Sequence, residues 1–223
     1  MMMTYKDPNW KQILKNADEI LVSSHIINSF PFGVKKLVQE YRNISCISFD
    51  KATTKYNIPI HDFGSDSAII TQKLGRSIIF YNTKKPEAHI RFSILHEFGH
   101  AVNGHKLTHK DTKTYGVKEV ETNFFAAQLL MPEQLIRELQ RRGVGITKQF
   151  LINAFNVSPL AADKRLNTLR KINWDGRSKS EREYDDLILF KYSDFLNSIQ
   201  PSSYKNLDYF EDEYEMENLR STW

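Results

Sequence analysis

The stretch ILHEFGH, residues 94–100, contains the pattern His-Glu-x-x-His, and the rest of the chain is interpreted from it. Residues four apart lie above one another on one face of a helix, so His96 and His100 can direct their imidazoles to a single metal ion. Glu97 lies about 100° round the helix from His96, close enough to reach a water molecule beside that ion. Two nitrogen ligands and a carboxylate base predict metal-assisted hydrolysis.

The residues around the motif predict a half-buried helix. It starts near Pro86 or Glu87 and continues to about Val102, and Asn103-Gly104 ends it. An alternative interpretation is a polar stripe on an amphipathic helix, with the histidines satisfied by hydrogen bonds alone. Apolar residues at helical spacing favour the ligand role. These residues are Ile90, Ile94, Leu95, Phe98, Ala101 and Val102.

A catalytic zinc ion keeps three protein ligands and one open position, so a third ligand is expected. In one class of site it is a histidine six residues after the second one, but Asn103 and Lys106 occupy the positions which that class requires. The other class takes a glutamate from a later helix, and Glu119 and Glu121 both qualify by distance. We expect Glu121 to be the ligand because it borders the predicted buried face, with Glu119 as the alternative. Alternatively, either glutamate is exposed to solvent near the helix N-terminus, where the helix macrodipole favours a negative charge.

His105 and the polar stretch 107–115 follow the motif helix. We expect His105 on the surface, since most unpaired histidines have no site role; the alternative is that it turns to the cleft and stabilises a transition state. The stretch 107–115 has few apolar anchors, which predicts a loop that rims the cleft.

The composition is ordinary for a soluble globular chain of 223 residues, with 40% hydrophobic and 26% charged side chains. No run approaches the roughly 18 apolar residues of a membrane span, and the first residues lack the apolar core of a secretory signal. Cys46 is the only cysteine, which excludes an internal disulfide, so we expect a cytoplasmic protein without a membrane partner. The net charge is +4, yet residues 206–223 carry six acidic side chains and one basic one. The remaining basic body allows weak contact with nucleic acid, although a solvated surface is commoner.

Hydrophobic periodicity and turn residues predict helices before and after a small sheet in the order of the chain. A strand at 44–49 and a hairpin at 67–82, with Gly75 in its turn, build the sheet. Two short helices at 147–154 and 159–169 are typical of a helix-turn-helix, which either packs on the core or contacts DNA. Further helices are predicted at 9–22, 31–41, 118–130, 133–142 and 183–199.

Two separated motifs, in the same order, resemble the ImmA/IrrE metallopeptidase family. The first is HEFGHAVNGH at 96–105, and the second is ETNFFAAQLLMP at 121–132. The sequence FNVS at 155–158 is similar to the start of that family's later helical segment. Thr122 and Gln128 depart from the family pattern, which commonly has Ala and Glu there.

The resemblance, which covers roughly residues 31–170, implies a zinc-dependent endopeptidase of phages, mobile elements and bacteria. Such a protein cleaves or inactivates a helix-turn-helix transcriptional repressor and so derepresses phage, mobile-element or stress genes. The resemblance implies that His96, His100 and Glu121 hold Zn²⁺ and that Glu97 is the catalytic base. Two alternatives stay open: a regulatory protein that binds a repressor without cutting it, and a DNA-binding regulator.

The expected fold class is α+β, with a mainly helical, zincin-like metallopeptidase core and a small antiparallel sheet. We expect the metallopeptidase domain at 1–143, a helical segment like a helix-turn-helix at 144–172, and a C-terminal extension with an acidic tail at 173–223.

Overall fold

The computed structural model describes residues 7–105 and 113–201. Within these ranges the chain has ten α-helices, three β-strands and one 3₁₀ turn, which confirms the predicted α+β class. The strands are β1 Ile44–Ser48, β2 Ala68–Lys73 and β3 Arg76–Tyr81. The helices are α1 Trp10–Ser23, α2 Val34–Gln39, α3 Phe49–Tyr56, α4 Glu87–Val102, α5 Lys113–Leu130, α6 Glu133–Arg141, α7 Lys148–Phe155, α8 Pro159–Leu169, α9 Lys179–Lys191 and α10 Ser193–Ser198, and the 3₁₀ turn covers Ile60–Phe63.

The sheet has the strand order β1-β3-β2. Strands β2 and β3 form the predicted hairpin, with Ala68 opposite Tyr81. Its two-residue turn has positive φ at both Leu74 (51°) and Gly75 (72°), as a type I′ turn requires. Strand β1 runs parallel to β3. The sheet is therefore mixed, whereas the sequence predicted antiparallel pairing.

The connection from β1 to β2 contains α3, a helix that the sequence analysis did not predict. Ser48 at the end of β1 and Ala68 at the start of β2 both pair with Tyr81, so α3 and the 3₁₀ turn cross over one end of β3, and β2 then carries the chain back to the start of β3. The chain enters this helix at Phe49 because the Ser48 hydroxyl accepts a hydrogen bond from the Lys51 N–H, which caps the helix. Phe49 then stacks on Phe63 with the ring centroids 4.3 Å apart. This crossover leaves β2 at the edge of the sheet.

Helix α4 lies between the sheet and α5, and α1 packs on α5. The side chains of Ile94, Leu95 and Phe98 on α4 are completely buried. Gly99 lets α5 approach closely, since a Cβ atom at this position would lie 2.9 Å from Phe125 Cδ1. The two helices thus cross at the motif that the sequence analysis singled out.

The two short helices α7 and α8 are present, joined through Asn156 in the left-handed conformation. Arg165 on α8 is almost completely buried and donates hydrogen bonds to the Met131 carbonyl and to Gln128 Oε1. One face of α8 therefore packs on the core, and contact of α7 and α8 with DNA stays a prediction.

The helix predicted at 183–199 is divided into α9 and α10, which pack on the body of the protein. The Tyr192 hydroxyl donates to the backbone carbonyls of Leu21 (2.7 Å) and Ile27 (3.2 Å). Buried Arg177 forms ion pairs with Glu133 and Asp185. The predicted division into three domains stays a prediction.

Two predicted features fall largely or wholly outside the described ranges. They are the loop at 107–115, apart from its last residues at the start of α5, and the acidic tail. No helix in the described part of the chain is long and apolar enough to cross a membrane.

Candidate metal site

The predicted motif helix brings its polar side chains to one cleft. The rings of His96 and His100 lie one above the other, with their centroids 5.0 Å apart. Glu97 lines the same cleft, which has a volume of about 450 Å³ and is bounded by residues 67–70 at the sheet edge, by α4 and by the first turns of α5. The structure therefore brings these three residues to one cleft, and their roles as ligands and base stay predictions.

Glu119 of α5 faces both histidines. Its Oε2 lies 3.2 Å from His96 Nε2, and its Oε1 lies 3.2 Å from His100 Nε2. Zinc binds imidazole nitrogen and carboxylate oxygen at about 2.0–2.2 Å, so the edge of a tetrahedral site is about 3.3–3.6 Å. The observed separations are close to that edge. His96, His100 and Glu119 therefore fit three ligands of a tetrahedral site with one open position.

Glu121, which the sequence analysis preferred as the third ligand, lies on another side of α5. Two residues along a helix correspond to a rotation of about 200°, so Glu119 and Glu121 cannot face the same cleft. Glu121 Oε2 lies 3.1 Å from His105 Nε2, and its Oε1 accepts a hydrogen bond from the Asn9 N–H (2.7 Å). Glu121 is buried, as expected, but it is buried against α1 and His105. The structure thus places Glu119, and not the preferred Glu121, beside His96 and His100.

His105 was expected on the surface, and this prediction is wrong. Its side chain is only 8% exposed and lies behind His100, with the two Nδ1 atoms 3.2 Å apart. Burial is the main cause that lowers the pKa of His105. The ring is therefore neutral near pH 7, where it both accepts and donates a hydrogen bond.

Glu97 is held by the edge strand. Its Oε2 accepts a hydrogen bond from the backbone N–H of Ile70 in β2 at 3.0 Å. Burial raises the pKa of the Glu97 carboxyl, although the nearby charges of His96 and His100 oppose this. A carboxylate with a raised pKa binds and releases protons more readily near neutral pH.

His96 and Glu119 shift each other's pKa values in opposite directions. Burial disfavours the charged form of His96, but the hydrogen bond with Glu119 and the charge of Glu97 outweigh it, and the pKa of His96 is raised. Burial also opposes ionisation of Glu119, yet hydrogen bonds with His100 and His96 hold its pKa well below the usual range. The carboxylate is therefore ionised at neutral pH, as a metal ligand must be.

Tyr115 and Asn123 also lie at the site, although neither was predicted from the sequence. His96 Nδ1 lies 3.0 Å from Asn123 Oδ1, and Tyr115 lines the cleft, where burial and then the charge of Glu119 raise its pKa. Tyr115, Glu119 and Asn123 are spaced by four residues, so they share one face of α5. The spacing is visible in the sequence, but the packing of α5 on α4 decides that this face, and not the face of Glu121, meets the histidines.

Comparison with protein families matches residues 51–167, more than half of the chain, to the peptidase family described as the IrrE N-terminal-like domain. The chain belongs to this family. The match includes the hairpin, the motif helix α4, α5 and most of α8. The site described above therefore belongs to a metallopeptidase domain of the IrrE N-terminal-like family, in agreement with the resemblance noted in the sequence.

Among solved structures, a Mycobacterium tuberculosis transcriptional regulator is similar to this IrrE-like chain, with 16% sequence identity and a TM-score of 0.47. The similarity covers 70% of this chain and 47% of that one, so the chain spans about half the length of that regulator. A search of curated proteins found no match.

Proposed function

We propose that the chain is a zinc-dependent endopeptidase that cleaves a helix-turn-helix transcriptional repressor in the cytoplasm and so derepresses phage, mobile-element or stress genes. The observation that supports the hydrolytic part is the convergence of His96, His100 and Glu119 beside Glu97. Membership of a peptidase family supports the reaction class. The sequence resemblance to ImmA/IrrE proteins supports the repressor as substrate.

The metal would be held by the Nε2 atoms of His96 and His100 and by the carboxylate of Glu119. Two imidazoles with one carboxylate are a common ligand set of hydrolytic zinc sites, which is why zinc is proposed over other divalent cations. When bound, the cation supplies a Lewis acid that polarises the scissile carbonyl and makes a water molecule more acidic.

Glu97 is the residue placed to move protons during hydrolysis. The Ile70 N–H orients its carboxylate by binding one oxygen, so the side chain is held at the cleft. We propose that Glu97 takes a proton from the attacking water and then delivers it to the leaving amine. The raised pKa of Glu97 suits both steps, because a weaker acid is a better base and neutral pH lies closer to its midpoint.

The edge strand β2 is the proposed guide for the substrate backbone. One edge of β2 pairs with β3, and the opposite edge meets α4 at the hydrogen bond between Ile70 and Glu97. Because backbone groups alternate between the two edges of a strand, those of Ala68 point to the same side as those of Ile70. An extended peptide beside Ala68 would pass the catalytic carboxylate, as in other cases of strand addition.

The decisive experiment incubates the purified protein with the helix-turn-helix repressor encoded beside it and identifies the fragments by mass spectrometry. We expect cleavage that a chelator abolishes and added zinc restores. Glu97→Gln should bind zinc as tightly as the wild type and lose cleavage by a factor of about 10² or more, because it removes the general base. Glu87→Gln, at the exposed start of the same helix, is the matched control and should cleave normally.

Two outcomes would contradict the proposal. Unchanged cleavage by Glu97→Gln would remove this residue from the mechanism. Zinc-dependent binding of the intact repressor without any fragments would favour the non-proteolytic regulator, and a DNA footprint that survives chelation would favour the DNA-binding regulator.

A further inference from the structure

His100 is connected to the N-terminal helix by an unbroken chain of polar contacts. Its Nδ1 lies 3.2 Å from His105 Nδ1, and His105 Nε2 lies 3.1 Å from Glu121 Oε2. The other carboxylate oxygen, Glu121 Oε1, accepts a hydrogen bond of 2.7 Å from the N–H of Asn9, the cap residue of α1. The three residues are each less than a tenth exposed. Little water can therefore compete with these contacts.

The valence of each ring nitrogen determines which nitrogen carries the proton in this series of contacts. His100 Nε2 faces Glu119 at the candidate metal site, so a metal there requires the lone pair of Nε2 and leaves the proton of the neutral ring on Nδ1. His100 Nδ1–H must then donate to His105 Nδ1, which accepts. The proton of His105 therefore lies on Nε2 and is donated to the Glu121 carboxylate. Each donor therefore meets one acceptor, and His100 and His105 have one consistent pair of tautomers.

We infer that His105 and Glu121 are positioning residues that hold His100 in the tautomer and orientation required of a metal ligand. The inference rests on the proposed metal site and concerns two residues that touch neither the metal nor the substrate. A partner for the second ring nitrogen orients a metal-binding histidine and makes it a stronger ligand. Here the Glu121 carboxylate orients His105, and His105 in turn orients His100.

The two ligand histidines are supported differently. His96 Nδ1 meets the neutral side-chain amide of Asn123 on α5, 3.0 Å away. His100 is supported through His105 by an ionisable carboxylate whose second oxygen is bound by α1. Helix α1 also reaches the motif helix directly, since Asn16 Nδ2 donates to Asn103 Oδ1 and Asn103 Nδ2 donates to the Gly99 carbonyl, both at 2.8 Å. Helix α1 lies outside the region matched by the family, yet it supports the metal site.

The test measures the dissociation constant of zinc for the full-length apoprotein by competition with a chromophoric chelator. His105→Leu removes both hydrogen bonds and keeps an apolar side chain in the space; we expect zinc binding to weaken by about 10–100-fold. His105→Gln can still accept from His100 and donate to Glu121, so it should recover most of the lost affinity. Cobalt absorption should report an altered ligand field in His105→Leu and a nearly native one in His105→Gln.

Controls separate positioning from general stability. His61→Leu removes a histidine whose side chain is 83% exposed and should leave the zinc affinity unchanged. Asn9→Pro and Asn9→Ala both remove the side-chain cap of α1. Only the proline also removes the backbone N–H from which Glu121 accepts a hydrogen bond, so Asn9→Pro should bind zinc several-fold more weakly than Asn9→Ala. Urea unfolding of each apoprotein shows whether a variant acts through folding alone.

Three results would overturn the inference. One is a zinc affinity of His105→Leu within twofold of the wild type. Another is a loss of affinity that follows the loss of apoprotein stability and that His105→Gln does not recover. If the wild type binds no zinc at all, the proposed function fails together with the inference, whereas tight wild-type binding with unaffected variants rejects the inference alone.

Discussion

Replacement of Gly99 by alanine tests the close approach of the motif helix to α5. The added Cβ would lie 2.9 Å from Phe125 Cδ1 and 3.3 Å from Thr122 Cγ2. Carbon atoms in ordinary contact are about 3.5–4.0 Å apart, so the phenylalanine ring must retreat by roughly 0.6 Å or more. Phe125 and Thr122 are completely buried, and the Phe125 ring also packs against Phe98. Because the ring is completely buried, its retreat must displace neighbouring core side chains or α5.

Two opposing effects set the magnitude for Gly99→Ala. Alanine is favoured over glycine inside a helix by about 1 kcal/mol. Overpacking a well-packed core costs about 1–3 kcal/mol. The packing cost outweighs the helix preference over most of that range, and we expect a net loss of up to about 2 kcal/mol in the free energy of unfolding.

The matched control is Gly116→Ala on α5, where the added Cβ would meet no atom of the described residues within 4 Å outside its own stretch of helix. This variant has the helix preference without the overpacking and should be more stable than the wild type by up to about 1 kcal/mol. Urea unfolding of the two apoproteins therefore isolates the helix crossing as a difference of about 1–3 kcal/mol. Because α5 also holds Glu119, Gly99→Ala should in addition bind zinc more weakly. Equal stabilisation by both alanines would refute this account of the crossing.

Two other predictions concern pH and metal. Burial raises the pKa of Asp18 to about 7, so between its usual value near 3.8 and pH 7 the folded protein binds a proton that the unfolded chain has released. The free energy of unfolding should therefore fall as pH rises through this window, by up to about 4 kcal/mol. Urea unfolding at pH 5 and pH 8 measures this fall, and Asp18→Asn should make it smaller. An equally steep fall in the variant would show that another group is responsible. Zinc at a hundred times its dissociation constant should stabilise the wild type by about 2.7 kcal/mol, and chelation should remove this gain. His96→Ala should show no such response, and an unchanged response would exclude His96 as a ligand.

The local part of the site was predictable because it depends on helix geometry alone. His96, Glu97 and His100 share one helix, and a spacing of four residues places the two imidazoles together whatever surrounds them. The hairpin was likewise predictable from its turn, because Gly75 accepts the positive φ that a type I′ connection demands. In both cases the information lies within a few neighbouring residues.

The choice between Glu119 and Glu121 shows where local reasoning ended. The predicted buried face favoured Glu121, yet both glutamates are at least partly buried on different faces of one helix, so burial did not identify the residue that faces the histidines. The contact of Gly99 with Phe125 and Thr122 sets which face of α5 meets α4, and that face presents Glu119 to the histidines. The face that presents Glu121 meets α1 and His105 instead.

The sequence by itself determined the motif helix and the placement of His96, Glu97 and His100 on it, because these depend on contacts within about one turn of backbone. Only the tertiary structure decided which glutamate lies beside the two histidines, the burial of His105 and the parallel pairing of β1, because each depends on the packing of different segments of the chain. The physical reason is that the spacing of residues on one helix follows from the helix repeat. The rotation of one helix against another is set instead by the packing of side chains from different helices, and the sequence spacing does not give that packing.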